Sequence, residues 1–137
     1  MAVLVDALAA LATRIGEEFA KFREDGAMIW QTYGLHAQGI GQQDIGWVVP
    51  YDMVIISARY WSKAAGTGGT CTAELRRNGT ATGDAIAGSS GTPAPSSPTA
   101  ATPNAAVSAG DRIWIYQTAA NTAPGAQLAA EIRWRRA

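Results

Sequence analysis

A chain of 137 residues, 47% hydrophobic and 16% charged, falls within the range of one domain built round one compact core. Lys plus Arg and Asp plus Glu are equal at 11 each, so no net field draws the chain to nucleic acid or an anionic membrane, and the expected partners are proteins or neutral sugars. A single cysteine, Cys71, excludes an intrachain disulfide framework and a multi-cysteine metal site, while five Trp and four Tyr with 15 Gly and 6 Pro lean towards β-structure rich in turns.

The first residues, MAVLVDALAALA, are apolar, but they lack a basic flank and Asp6 interrupts them, so neither an export signal nor a membrane span is expected. From Val5, apolar residues recur at Leu8, Ala12, Ile15, Phe19 and Phe22 in alternating steps of three and four, which is a heptad seam on a helix. Leu4 and Leu11 widen the stripe on one flank, more apolar surface than a two-stranded seam needs and suited to three helices or a docked helix. Arg14 with Glu18, and Glu17 with Lys21, decorate the outside at i,i+4, and Gly26 after Asp25 supplies a stop. A helix this short is marginal alone in water, so its stripe must be covered. Packing on its own β-domain is one solution; the nearly three heptads of seam, ending in two Phe, favour self-association.

After Gly26 the period changes from helical to strand-like. Met28 to Tyr33 reads as a strand, Gly34 to Gly46 as a surface connection, and Trp47 to Val49 as a short strand ended by Pro50. Met53 to Lys63 is the clearest strand, with Val54, Ile56, Ala58 and Tyr60 expected on one face and Ile55, Ser57, Arg59 and Trp61 on the other. Gly66 to Gly69 is a turn. Thr70 to Arg77 then alternates with Cys71, Ala73 and Leu75 inward, and Asn78-Gly79 closes it. Two more strands follow, Arg112 to Gln117 and Gln127 to Arg135, with Asn121 to Gly125 as the turn between them.

Between them lies a low-complexity stretch of Ala, Thr, Ser, Gly and Pro, near 81–110, with prolines at 93, 95, 98 and 103. It is expected to contribute a weak edge strand near Ala85 to Ala87 and an exposed excursion from Ser89 to Asn104, adding little to the core and held against a neighbouring subunit. The predicted organisation is a helix over 1–26 that forms a short trimeric bundle, followed over 27–137 by an antiparallel, jelly-roll-like β-sandwich. An immunoglobulin-like sandwich is the alternative.

The chemistry-bearing residues form no constellation. His36, the only histidine, lies in a Gly-rich stretch without a nearby serine, and Asp44, Asp52, Glu74, Asp84, Asp111 and Glu131 are scattered singly, with no calcium-loop or zinc spacing. No catalytic residue, metal or cofactor is expected. Gly66-Thr67-Gly68-Gly69 lacks the Lys-Ser/Thr ending of a phosphate loop, and alternation puts Trp134 opposite the arginines that flank it, against a nucleic-acid patch. Trp61, Trp114 and Tyr116 fall on one alternation set of their strands and are the candidates for stacking on a sugar; membership of the core or of a subunit interface is the other reading of these rings.

The run ALAALATRIGEEFAKFR, Ala7 to Arg23, resembles the N-terminal helices of small minor tail and fibre proteins of phages infecting actinobacteria. AELRRNGT (Ala73 to Thr80) and VSAGDRIWIY (Val107 to Tyr116) resemble strand and turn segments of phage β-domains, including trimeric fibre heads and capsid decoration proteins, and the three segments cover about a quarter of the chain. The resemblance implies a virion protein made in the host cytoplasm, trimeric through helix and sandwich, attached to other virion proteins at its N-terminal end and displaying the β-domain outward. Unlike long fibres, the chain has no repetitive shaft, so it would sit close to its attachment point. Capsid decoration, as a head fibre, uses the same parts, and a carbohydrate-binding module that contacts host glycan is the rival from another class.

Overall fold

The computed structural model describes residues 1–22, 26–35 and 46–137. Among the described residues a helix, α1 (Ala2–Phe22), is followed by seven strands: β1 (Gly26–Leu35), β2 (Trp47–Val48), β3 (Met53–Ala64), β4 (Thr72–Arg77), β5 (Ala105–Val107), β6 (Arg112–Ala119) and β7 (Ala126–Arg136). They form two antiparallel sheets, four-stranded in the order β1-β7-β3-β5 and three-stranded in the order β2-β6-β4. Each successive strand joins the sheet its predecessor does not, so the chain winds round one core held between the two layers. His36 and the connection round it, apart from Gly34, Leu35 and Gly46, lie outside the described residues.

Period-2 burial builds that core. Ile113 and Ile115 of β6, Leu128, Ala130, Ile132 and Trp134 of β7, and Ala73 and Leu75 of β4 are buried, with Cys71 just ahead of β4, and these are the inward sets that alternation predicts. Burial raises the Cys71 thiol above its usual pKa, and Gln117 Nε2 donates to its sulfur at 3.3 Å. In β3 the expected faces hold only in part. Met53 and Ile55 are buried, then Ala58, Tyr60 and Ser62, because the pairing with β7 slips between Ile55 and Ser57. One extra residue at this bulge turns the strand over, so Ile56 falls outside the core and Ile55 inside it.

The Ala/Ser/Pro-rich stretch is not the exposed excursion expected of it. Ala85 and Gly91 bridge Arg76 and Ala73 on the outer edge of β4, and Ala94 and Ala101 then bridge Trp61 and Ala58 of β3 before β5 continues along the same edge. The stretch thus closes one side of the sandwich, passing from the smaller sheet to the larger. Ser89, Pro93 and Pro98 are buried. Ser89 Oγ accepts from Leu75 N–H at 2.9 Å, and its carbonyl oxygen accepts from Tyr60 Oη at 2.6 Å, tying the segment to both sheets. Burial, reinforced by the Glu74 charge, keeps the Tyr60 phenol un-ionised.

The connections at the end where α1 enters are laced together by polar side chains. Asp111 accepts from Asn78 Nδ2 at 2.8 Å and from Ser108 N–H at 3.0 Å, while Asn78 Oδ1 accepts from Arg112 N–H at 2.8 Å. Asn78 holds a φ of 59°, a left-handed conformation that Asn tolerates. The Asn78 bond first, then the Ser108 bond, lower the Asp111 pKa, with a weaker contribution from Arg77. A lowered carboxyl pKa stabilises the fold above the unfolded value of about 4 and loses that contribution as pH falls through the folded value. Thermal melts should therefore show the wild-type melting temperature dropping below about pH 4 more steeply than that of Asp111→Asn.

Candidate functional site

Two surfaces answer to the residues singled out in the sequence: the stripe on α1 and the aromatic positions of the sheets. Along α1 every described side chain from Met1 to Phe19 is exposed, including Val5, Leu8, Ala12, Ile15 and Phe19, and Ile15 and Phe19 remain 46% and 67% exposed. The side chain of Phe22 lies outside the described residues. The alternative in which the stripe packs on the chain's own sandwich is not what is seen. Leu11, Arg14, Ile15 and Glu18, together with Phe19, line a shallow apolar groove of about 330 Å³. Positions i, i+3, i+4 and i+7 are the four that form the hole for a knob from a facing helix.

The three aromatic candidates do not come together. Trp61 stands between the buried Tyr60 and Ser62 on β3, hence on the outer face of the four-stranded sheet. Trp114 and Tyr116 alternate with buried Ile113, Ile115 and Gln117 on β6, hence on the outer face of the other sheet. The sandwich separates them, and no single glycan platform can use all three. Tyr116 has a further claim on its ring: the Arg76 guanidinium lies 3.3 Å from its centroid, a cation–π contact that occupies one face. Arg76 is itself buried, its Nε paired with Glu74 Oε1 at 2.8 Å and its Nη1 donating to the Thr80 carbonyl. Gly46 packs against the Trp114 indole, leaving no room for a Cβ.

A different aromatic group forms where the helix joins the sandwich. The rings of Trp47 and Trp134 lie 5.1 Å apart, Trp134 Nε1 donates to Tyr51 Oη at 3.2 Å, and the Arg136 guanidinium covers the Tyr51 ring at 4.3 Å. Gly26, the first residue of β1, rests on the Trp134 indole where any side chain would overlap it. Sequence reading gave Gly26 only the role of helix stop. Its pairing with Trp134 could not be found without the β1–β7 register.

Of the carboxylates scattered through the strands and turns, those described are each engaged by a neighbouring group. Asp52 accepts from Ala109 N–H at 2.9 Å, Asp84 from Ala81 N–H at 2.8 Å, and Glu131 pairs with Arg133 at 2.6 Å. Asp44 lies outside the described residues. Among the described residues no three His, Cys, Asp or Glu side chains converge as a metal site, and no helix is long and apolar enough to cross a membrane. Neither a protein-family model nor a curated protein matches the chain.

Proposed function

We propose that the chain is a structural virion protein of a bacteriophage, a minor tail or short fibre component that trimerises through α1 and displays its sandwich on the particle surface. The observation that carries the reading is the open stripe on α1. A helix of 21 residues with Leu8, Leu11, Ile15 and Phe19 exposed is not a stable arrangement in water, and its hole-forming spacing fits another helix of the same kind. Stripe width beyond a two-stranded seam supports three copies. Contact with a host surface would fall to the sandwich, whose loops can vary without disturbing the strands beneath them.

The strand order supports the jelly-roll version of the sandwich. With the 85–91 segment on the outer edge of β4, the two layers hold four positions each, in the orders β1-β7-β3-β5 and β2-β6-β4 followed by that segment. Eight positions in two layers among the described residues, with every connection but that from β4 to the 85–91 segment crossing between them, fit the arrangement of a jelly roll. The carbohydrate-binding reading gains nothing comparable, since its aromatics lie on opposite sides and Tyr116 is covered on one face.

Gold-labelled antibody against the sandwich should decorate the outside of intact tails on particles produced from the encoding genome. Labelling confined to the capsid would move the protein to the decoration, or head-fibre, class. Absence of label on every particle would remove the virion reading.

A further inference from the structure

A sheet edge is a row of N–H and C=O groups, and proteins shield such rows because an open one pairs with whatever strand it meets. In the three-stranded sheet, the outer edge of β4 is occupied: Gly91 exchanges backbone bonds with Ala73, and Ile86 N–H donates to Leu75. The other edge, β2, is only two residues long. In the four-stranded sheet, β5 is three residues long, and Arg77 Nη1 donates to the Ala106 carbonyl at 3.1 Å. The remaining edge is β1. It runs for ten residues and pairs with β7 alone among the described residues, in unbroken register from Gly26 to Thr32. Its sequence, GAMIWQTYGL, contains no charge and no proline. Shortness, a charged side chain, a proline or a bulge are the usual ways an edge refuses a partner, and from Gly26 to Thr32 β1 has none of them, its register with β7 shifting only between Thr32 and Leu35.

We propose that β1 pairs edge to edge with β1 of a second copy, antiparallel about a two-fold axis, so that two four-stranded sheets become one continuous sheet. Antiparallel self-pairing is isologous: the axis sets each free donor of one copy against the matching acceptor of the other. An uncharged strand can meet itself without the like-charge contacts that oppose self-pairing. The chain offers no other long strand with a free edge among the described residues, because β3, β6 and β7 are interior to their sheets. The contact uses none of the α1 stripe and so stands apart from the helix-borne trimer. Together the two contacts would join one trimer to another.

Hydrogen exchange on the full chain tests the pairing. In an unpaired edge strand alternate amides face outward, giving slow and fast exchange in turn. Paired β1 should instead exchange slowly at every position from Ala27 to Thr32, its outward amides slowing about tenfold or more between dilute and concentrated protein. Alternating rates at all concentrations overturn the proposal, and uniform protection independent of concentration overturns it too, by showing the edge occupied within one chain. Light scattering separates the two contacts. The Ile15→Asp chain should be a dimer, and one of Gln31→Pro or Thr32→Pro added to it should give a folded monomer, because of two adjacent amides one faces β7 and the other the free edge. A trimeric wild type with a monomeric, folded Ile15→Asp chain sinks the β1 contact and keeps the helix. A dimeric wild type unchanged by Ile15→Asp does the reverse, and an Ile15→Asp dimer that neither proline dissociates also overturns the β1 contact.

Discussion

Deleting Ser89 to Asn104 should unfold the sandwich and not merely trim its surface. The segment donates and accepts along the edges of β3 and β4, in the reciprocal pairs Ala94 with Tyr60 and Ser62, Ala101 with Ala58, and Gly91 with Ala73. It also supplies Ser89, which is fully buried and bonded to Tyr60 and Leu75. At about 1 kcal/mol net for each hydrogen bond, and more wherever a buried partner is left unsatisfied, the loss approaches the whole stability of a small domain, about 5–15 kcal/mol. Circular dichroism should show no cooperative melt in the deleted chain; an unchanged melting temperature would mean that the segment only decorates the fold. A point variant gives a graded version. A Cβ at Gly91 would lie 2.9 Å from Tyr60 Cδ2, so Gly91→Val should cost about 1–3 kcal/mol by overpacking and lower the melting temperature by roughly 4–20 °C.

That segment also shows where sequence reading stops. Strands β4, β6 and β7 were legible because each has one apolar, fully buried face and one more polar or more accessible face, which leaves a period-2 trace in residues such as Leu75, Ile115 and Ile132. Between Ala85 and Asn104 the strand-like pairings are isolated backbone bridges made by Ala and Gly, whose side chains carry no such trace, so backbone pairing looked like low complexity. The bulge at Ile56 is similarly silent, since apolar residues on both sides of it suit either phase. Alternation put Trp61, Trp114 and Tyr116 each on one face of its strand without deciding whether that face was core or surface, and strand period says nothing about which sheet a strand joins. The Asn121 to Gly125 turn carries the chain from one sheet to the other, and its residue types would equally suit a hairpin. Glu74 and Arg76, two apart on a strand and so on one face, were a readable pair. That Arg76 would also cover Tyr116 depended on the β4–β6 register.

On α1 the stripe was fully legible and its partner was not, which makes Ile15→Asp the decisive substitution for the proposed trimer. Ile15 belongs both to the seam that runs from Val5 to Phe22 and to the hole formed with Leu11, Arg14 and Glu18, so every copy would bury it against a neighbour. A carboxylate there loses its water without gaining a partner, at a cost of about 3 kcal/mol or more per chain. Three copies pay it together, and at about 1.4 kcal/mol per tenfold the helix-borne association should weaken by roughly six orders of magnitude. Within one chain the same residue is 46% exposed, so the sandwich should melt as before. Ala10→Asp is the matched control: it faces the opposite side of α1, costs only helix propensity, and should leave the mass unchanged. Equal loss of mass in both variants would trace the effect to helix unfolding, and loss in neither would mean that the stripe serves something other than a helix of its own kind.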